Sequence, residues 1–344
     1  MLAAAKDRGC VSCGALAHSF WRPPLVAKPC ACSCLRGLAV AAKDVPPELP
    51  EVERLSSRVA RVLGRNPGPF TLTGTNMYLV GTGKKRILVD AGEGRPGVLQ
   101  DLVKLMDEEG CGLDQIVVTH WHHDHILGVP EILRHFGAVP VRKYMPPEGT
   151  GGRKFVDEFD PEALMKEFPV VGLEDGEVLS CEGASVRVLF TPGHANDHVS
   201  LMLEEEQSLF TGDNVLGWGT GVFEDLQQYL ASLRRMRDTQ PTVLYPAHGP
   251  VIQRGRAGPW LEMYISHRET RVQQVKVALN GSSPAGVTLQ DVTREVYKAQ
   301  TNVLSNDGLF KGACNNTLHI LTYLVKEGLC REIDGSYLVR AAQL

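Results

Sequence analysis

No run of apolar residues in the 344-residue chain is long enough to cross a bilayer, so no membrane span is expected. Positive charge is not in excess either. Lys and Arg number 36 against 40 Asp and Glu, a formal net charge of −4, which argues against a protein that grips nucleic acid through its overall field. Any polyanion would need a local patch. A disulfide framework is missing as well: five of the nine cysteines, Cys10, Cys13, Cys30, Cys32 and Cys34, crowd the N-terminus, and Cys111, Cys181, Cys314 and Cys330 are scattered. Such isolated cysteines suit a reducing interior, the mitochondrial matrix or the cytoplasm.

Acids are scarce at the start. Lys6, Arg8, Arg22, Lys28, Arg36 and Lys43 face only Asp7 before residue 44, with Pro, Ala, Gly and Cys between them. Residues 1–49 therefore read as a disordered or transit-like segment, which points to the matrix. Its cysteine spacings could bind a metal, but no surrounding core would hold the ligands in place.

Beyond it the pattern is that of an α/β chain. "RVARVLG" (58–64), "NMYLVG" (76–81), "RILVDAG" (86–92) and "QIVVT" (115–119) read as strands, and residues 96–110 as a helix between Pro and Gly. "SVRVLF" runs into "TPGHANDH", "QSLF" into "TGDN", and "TVLY" into "PAHGP", so each polar motif follows a buried-looking strand. Loops at strand ends are where α/β folds build sites. Residues 224–238 and 257–279 read as helices, and residues 50–280 as the catalytic domain. After a Gly/Ser linker, two helices and an Asp334-Gly335 hairpin suggest a small winged-helix-like domain over 287–344. Its acids and bases balance, which disfavours sequence-specific binding to duplex DNA.

The densest chemistry is "IVVTHWHHDHILG", residues 116–128. His120 and His122, two apart on an extended segment, point the same way and can grip one ion, while Asp124 and His125, a step further, reach another. His194, Asp213 and His248 supply three more donors at later strand ends. The simplest assembly gives His120, His122 and His194 to one site, Asp124, His125 and His248 to the other, and makes Asp213 a carboxylate bridge. Two zinc ions roughly 3.5–4 Å apart would deprotonate a shared water near neutral pH and hold it for in-line attack. That is the nucleophile of a hydrolase, with Asp124 and His194 as its expected catalytic ligands. His123 faces away from this set, and His198 is expected behind the ligands or facing substrate.

These motifs, "THWHHDH", "TPGH" (191–194), "TGD" (211–213) and "PAHG" (246–249), resemble those of the metallo-β-lactamase superfamily. The resemblance implies an αββα sandwich with a dinuclear zinc edge. It also implies His120, His122, His194 and Asp213 on one zinc, Asp124, His125, Asp213 and His248 on the other, and Asp90 bracing ligands from behind. From about Pro50 onward, stretches such as "RVARVLGRNPGPFTLTGTNMYLVG" and "YISHRETR" look like a mitochondrial endoribonuclease branch of that family. Two positions depart from the family pattern: Leu127 replaces the first of two glycines after the zinc loop, and Asn214 follows Asp213 where a small or thiol residue is common.

The reaction this implies is zinc-dependent endoribonuclease cleavage of single-stranded RNA, by attack of a metal-bridging hydroxide on the phosphodiester. Such a substrate needs cations for flanking phosphates, for which Arg142, Lys143, Arg153, Lys154, Arg268 and Arg271 are candidates. Trp121, Phe70, Tyr78 and Trp218 are candidate stacking platforms. The alternatives are a thioesterase of glyoxalase or acyl-carrier type, in which the same nucleophile attacks a carbonyl, and a mononuclear iron sulfur dioxygenase. His122, where di-iron relatives carry an acid, favours zinc. The oligomeric state is left between monomer and homodimer.

Overall fold

Short β-branched runs separated by glycine turns build two mixed sheets in the computed structural model, which describes residues 45–147, 160–281 and 286–339. Most of the transit-like segment, with its five cysteines, lies outside those residues, as do Arg153, Lys154 and the middle of the Gly/Ser linker.

The first sheet runs β1 (Val52–Arg54), β2 (Val59–Leu63), β3 (Asn76–Val80), β4 (Lys85–Val89), β5 (Gly112–Val118), β6 (Val141–Lys143) and β7 (Val170–Gly172), in that spatial order. Strands are antiparallel as far as β4 and parallel thereafter. Parallel neighbours need a crossover, and α1 (Val98–Glu109) supplies the one between β4 and β5. Helices α2 (His123–Ile126), α3 (Val129–Phe136) and α4 (Pro161–Met165) occupy the later connections. The second sheet contains β8 (Val178–Cys181), β9 (Ala184–Phe190), β10 (Val199–Leu203), β11 (Ser208–Gly212) and β12 (Val243–Pro246), stacked in reverse order from β12 to β8. Only β11 and β12 are parallel, and α5 (Leu226–Asp238) connects them.

Alternation along the strands places the cores. Met77 and Leu79 of β3 pack with Leu102, Leu105 and Ile132 of α1 and α3, whereas Tyr78 and Val80 pack with Val186, Leu201 and Phe210 of the second sheet. With both faces buried, these strands read as nearly continuous apolar runs. The outer face of the second sheet, through Leu189, Met202, Leu209 and Leu244, meets α5 and α6 (Ala257–Asn280). The layers are therefore helix, sheet, sheet, helix, the sandwich that the family resemblance implies, and both sheets are mixed.

The C-terminal elements are β13 (Val287–Thr288), α7 (Leu289–Val296), α8 (Thr301–Ser305), α9 (Asp307–Lys326), β14 (Cys330–Ile333) and β15 (Ser336–Val339). Asp334 and Gly335 both have positive φ, as the two-residue turn between β14 and β15 requires. Helix α9 starts at Asp307 because the Asn306 side chain accepts from the Leu309 N–H and caps it. Val292, Ile320, Leu321, Leu324 and Tyr337 belong to the same apolar cluster as Leu233 of α5 and Leu261 of α6. No clear winged-helix subdomain stands apart from that core. Cys111, Cys181, Cys314 and Cys330 are free thiols. Among the described residues no helix is long and apolar enough to cross a membrane.

Candidate metal centre

The strand ends converge as their sequence pattern predicts. Strand β5 ends at Val118, the chain bends at His120 and Trp121, and His122 (φ −58°, ψ 143°) leads into the single helical turn of α2, so it is this bend, and not a continued strand, that brings His120 and His122 into one donor group. Asp124 and His125 thus sit on a helix and not farther along an extended segment, which is how neighbours in sequence both swing toward a second cluster. Leu127 closes α2 in right-handed helical geometry, so the missing glycine is not needed there. Gly128 is needed: a Cβ on it would lie 2.0 Å from the Ala91 carbonyl oxygen.

Two groups of donors form. His120, His122, His194 and Asp213 make one, and Asp124, His125 and His248 the other, with the donor atoms in each within 4.8 Å of one another. In the first, His120 Nε2 and His194 Nε2 lie 2.9 and 3.0 Å from His122 Nδ1. Asp213 connects the two. Its Oδ2 is 3.4 Å from His194 Nε2, and its Oδ1 is 3.5 and 3.2 Å from His125 Nε2 and His248 Nε2. Asp124 Oδ2 completes the second group at 3.3 Å from each of those two nitrogens.

A surrounding layer fixes which ring nitrogen faces inward. Asp90, at the end of β4 with φ 61°, accepts from the Thr119 N–H at 2.8 Å and the Thr119 hydroxyl at 3.0 Å, and lies 2.8 Å from His125 Nδ1. The Thr119 hydroxyl proton is therefore committed, and its oxygen is left to accept from His120 Nδ1 at 3.0 Å. One carboxylate so orients a ligand in each group. His194 Nδ1 donates to the Val222 carbonyl at 2.9 Å. His198 is buried behind the ligands, where its Nε2 accepts from the Asp213 N–H at 3.1 Å. A Cβ on Gly212 would stand 2.3 Å from that nitrogen. Asn214 has a use of its own, donating to the Thr191 carbonyl at 2.7 Å.

Two residues escape sequence reasoning altogether. Thr75 donates from its hydroxyl to Asp124 Oδ2 at 2.8 Å, and Asn66 donates to that hydroxyl at 3.0 Å. Neither belongs to a spacing motif, and the carbonyl of Val222 carries no side-chain signature at all.

Other expected residues land away from the ligands. Trp121, partly buried, stands edge-on to the His122 ring at 4.5 Å. Tyr78 is buried in the intersheet core, and Phe70 is 76% exposed. Arg268 and Arg271, expected to contact substrate phosphates, are buried instead. Arg268 donates to the Gly221 carbonyl and lies over the Phe223 and Tyr229 rings, and Arg271 lies over Tyr297, which caps the C-terminus of α7. Their i, i+3 spacing on α6 gives no hint that this face turns inward. Arg142 pairs with Glu177, and Lys143 is buried against Asp197.

Protonation tells the two groups apart. Burial, with the neighbouring imidazoles, holds His120 and His122 well below the usual histidine range, and burial lowers His194. In the other group burial also disfavours charge, but carboxylates outweigh it. Asp124, Asp90 and Asp213 push His125 well up, and Asp213 with Asp124 pushes His248 up to about 10. Burial opposes ionisation of Asp213, yet His248 and His125 hold it ionised. His125 Nε2 and Asp213 Oδ1 are buried without a hydrogen-bond partner among the described residues, and both lie in the space between the groups. Facing imidazole nitrogens, ionised carboxylates and unsatisfied inward atoms fit divalent cations.

Comparison with known proteins now bears on this arrangement. Residues 70–248 match the model of the metallo-beta-lactamase superfamily. The chain belongs to that superfamily. It is 42% identical over 258 residues to the lactamase-like protein aptB of Emericella nidulans, covering 73% of this chain and 77% of that one. It is 39% identical over 267 residues to the atrochrysone carboxyl ACP thioesterase of Aspergillus fumigatus (76% and 78%). The beta-lactamase-like protein 2 homolog of Caenorhabditis elegans is 37% identical over 284 residues (81% and 88%). Among solved structures, a beta-lactamase domain protein from Burkholderia ambifaria aligns with a TM-score of 0.66 over 87% of this chain and 97% of its own, at 18% identity, a likeness of fold. Family membership and the two ligand groups together give the active-site architecture of a metal-dependent hydrolase.

Proposed function

We propose that this metal-dependent hydrolase cleaves an ester-type bond in one of two substrate classes, an acyl-carrier thioester or single-stranded RNA. The observation that carries the chemistry is Asp213, with one oxygen toward each ligand group. His120, His122, His194 and Asp213 would hold one cation, and Asp124, His125, His248 and Asp213 another. When bound, such ions, zinc in our reading, polarise a carbonyl or phosphoryl oxygen and lower the pKa of water. The chain's own groups do the rest. Asp213 keeps the two ligand groups in register, and His198, packed closely against Gly212, holds the Asp213 backbone through its N–H. Asp124, held by Thr75, is the carboxylate we assign to take a proton from attacking water. His194, locked through Nδ1, presents Nε2 to the opposite side.

For the thioester reading the support is twofold. The relative with a stated acyl-carrier thioesterase activity matches over most of both chains. Among the described residues, the cations proposed for phosphates are engaged within the protein. The comparisons lean this way. The RNA reading rests on the sequence resemblance to the endoribonuclease branch, on the wide reach of the likeness to the Caenorhabditis elegans protein, and on exposed Phe70 and half-buried Trp121 as stacking surfaces. It carries the mitochondrial matrix with it as the proposed location.

The test sets zinc-loaded full chain and Asp213→Asn against an acyl-pantetheine thioester, an end-labelled single-stranded RNA and a matched DNA. Turnover of the thioester alone, lost in the variant, supports the first reading. Cutting of RNA but not DNA, lost in the variant, supports the second. If every substrate stays intact, or Asp213→Asn is as active as the parent, both readings fail.

A further inference from the structure

Between Asp213 and α5 the chain runs through "NVLGWGTGVF", residues 214–223, a segment with three glycines in five residues. It touches both ligand groups. The Gly217 N–H donates to the His248 carbonyl at 2.8 Å, and the Val222 carbonyl accepts from His194 Nδ1 at 2.9 Å. His248 belongs to one group and His194 to the other, and Asp213 itself immediately precedes the segment. The glycines are demanded by close approach: a Cβ on Gly217 would lie 2.0 Å from the Pro250 carbonyl oxygen, and one on Gly221 would lie 2.8 Å from the Asp213 carbonyl oxygen.

One face of α6 is bonded along this segment. Trp260, Tyr264 and Arg268 recur at a spacing of four, which places them in line on a helix. Trp260 Nε1 donates to the Leu216 carbonyl at 3.0 Å. The Tyr264 hydroxyl accepts from the Leu216 N–H at 2.9 Å and lies 3.0 Å from the Gly219 carbonyl. Arg268 donates to the Gly221 carbonyl. Three buried or half-buried donors thus meet carbonyls at 216, 219 and 221 in the order of the chain. From the opposite side, the Tyr229 hydroxyl donates to the Asn214 carbonyl at 2.5 Å.

We propose that residues 214–223 are a strap that sets the relative geometry of the two ligand groups, and that Tyr264 and Arg268 are positioning residues acting on the metal ions through it. Arg268 reaches the first group by way of Gly221, Val222 and His194, and Tyr264 holds the end beside the second group through Leu216, next to Gly217, and the middle of the strap through Gly219. The outward side of the strap, with Val222 45% exposed and Trp218 half-buried, forms part of the site's rim. The same buried guanidinium that is unavailable to a phosphate is thereby given a task in the same site. This inference rests on the metal-dependent reading of the ligand groups and is independent of which substrate is cleaved.

The test compares full-length parent, Tyr264→Phe and Arg268→Met by three measurements: thermal unfolding, zinc competition against a chromophoric chelator, and the visible spectrum of the cobalt(II)-loaded protein. Tyr264→Phe keeps the ring and removes only the hydroxyl. We expect it to fold, to hold zinc about tenfold more weakly, at the low end of what losing a supporting partner costs a metal site, and to change the cobalt spectrum. Arg268→Met is expected to do the same more strongly. Should Arg268→Met not fold, Tyr264→Phe alone decides. A parent that binds no metal overturns both the metal-dependent reading and the strap. A parent that binds metal beside a Tyr264→Phe variant with unchanged zinc affinity and cobalt spectrum overturns the strap alone, and leaves Tyr264 as a packing residue.

Discussion

The two halves of the metal centre are built from opposite materials. One holds three histidines, whose protons burial expels, and borrows its only carboxylate oxygen from Asp213. The other sets Asp124 and Asp213 against His125 and His248, and there the carboxylates keep the imidazoles charged. The first half is a ready set of neutral donors. The second demands positive charge, which protons supply until a cation displaces them. Metal affinity, proton competition and sensitivity to mutation should therefore differ between halves that lie side by side and share one residue.

The largest break comes from the shared residue. Asp213→Asn removes a charged oxygen from both halves, so both metals should be lost on dialysis and turnover should fall on the order of a thousandfold, read by metal analysis and initial rates. Asp124→Asn sharpens the contrast: one metal equivalent should go and one stay. Removing support costs less. Asp90→Ala should weaken metal binding roughly 10–100-fold, chiefly in the half that contains His125, as chelator titration would show.

The pH dependence follows from His248. Its folded pKa, about 10, lies above an unfolded value of about 6.5, so its contribution to the stability of metal-free protein is complete below the unfolded value and is lost as pH rises toward 10. Asp213, depressed in the fold, keeps its contribution throughout that window and loses it only in acid. Metal-free protein should thus lose several degrees in Tm between pH 6.5 and 10, while zinc-loaded protein, whose His248 carries metal in place of a proton, should stay flat. The smallest effect is Thr75→Val, which deletes one hydroxyl donor to Asp124 and should cost less than about tenfold in affinity for the second metal.

Much of the centre was legible in the sequence because its donors stand at the ends of strands, where period-two alternation and the abrupt change to polar residues are visible together. His120, His122, Asp124, His125, His194, Asp213 and His248 all come together as their spacing suggests. Asp90 was legible only through resemblance, since nothing local separates it from any strand-end acid. Thr75 and Asn66 were not legible: each is an ordinary polar residue whose partner is brought in by the sheet. The arginines of α6 were misread for a physical reason. A guanidinium on a helix is usually solvated, but aromatic rings at Phe223, Tyr229 and Tyr297 and a carbonyl at Gly221 receive these two inside the protein. In the C-terminal region the Asp334-Gly335 turn is visible in the sequence, but no local pattern reveals that the apolar residues there join the core of α5 and α6.

The most direct test of the central claim is the number of zinc equivalents retained by full-length parent and by Asp124→Asn after equilibrium dialysis. Two ligand groups joined at Asp213 predict two equivalents in the parent and one in the variant. A parent that retains a single ion or none, or a variant that retains as many as the parent, would contradict the account.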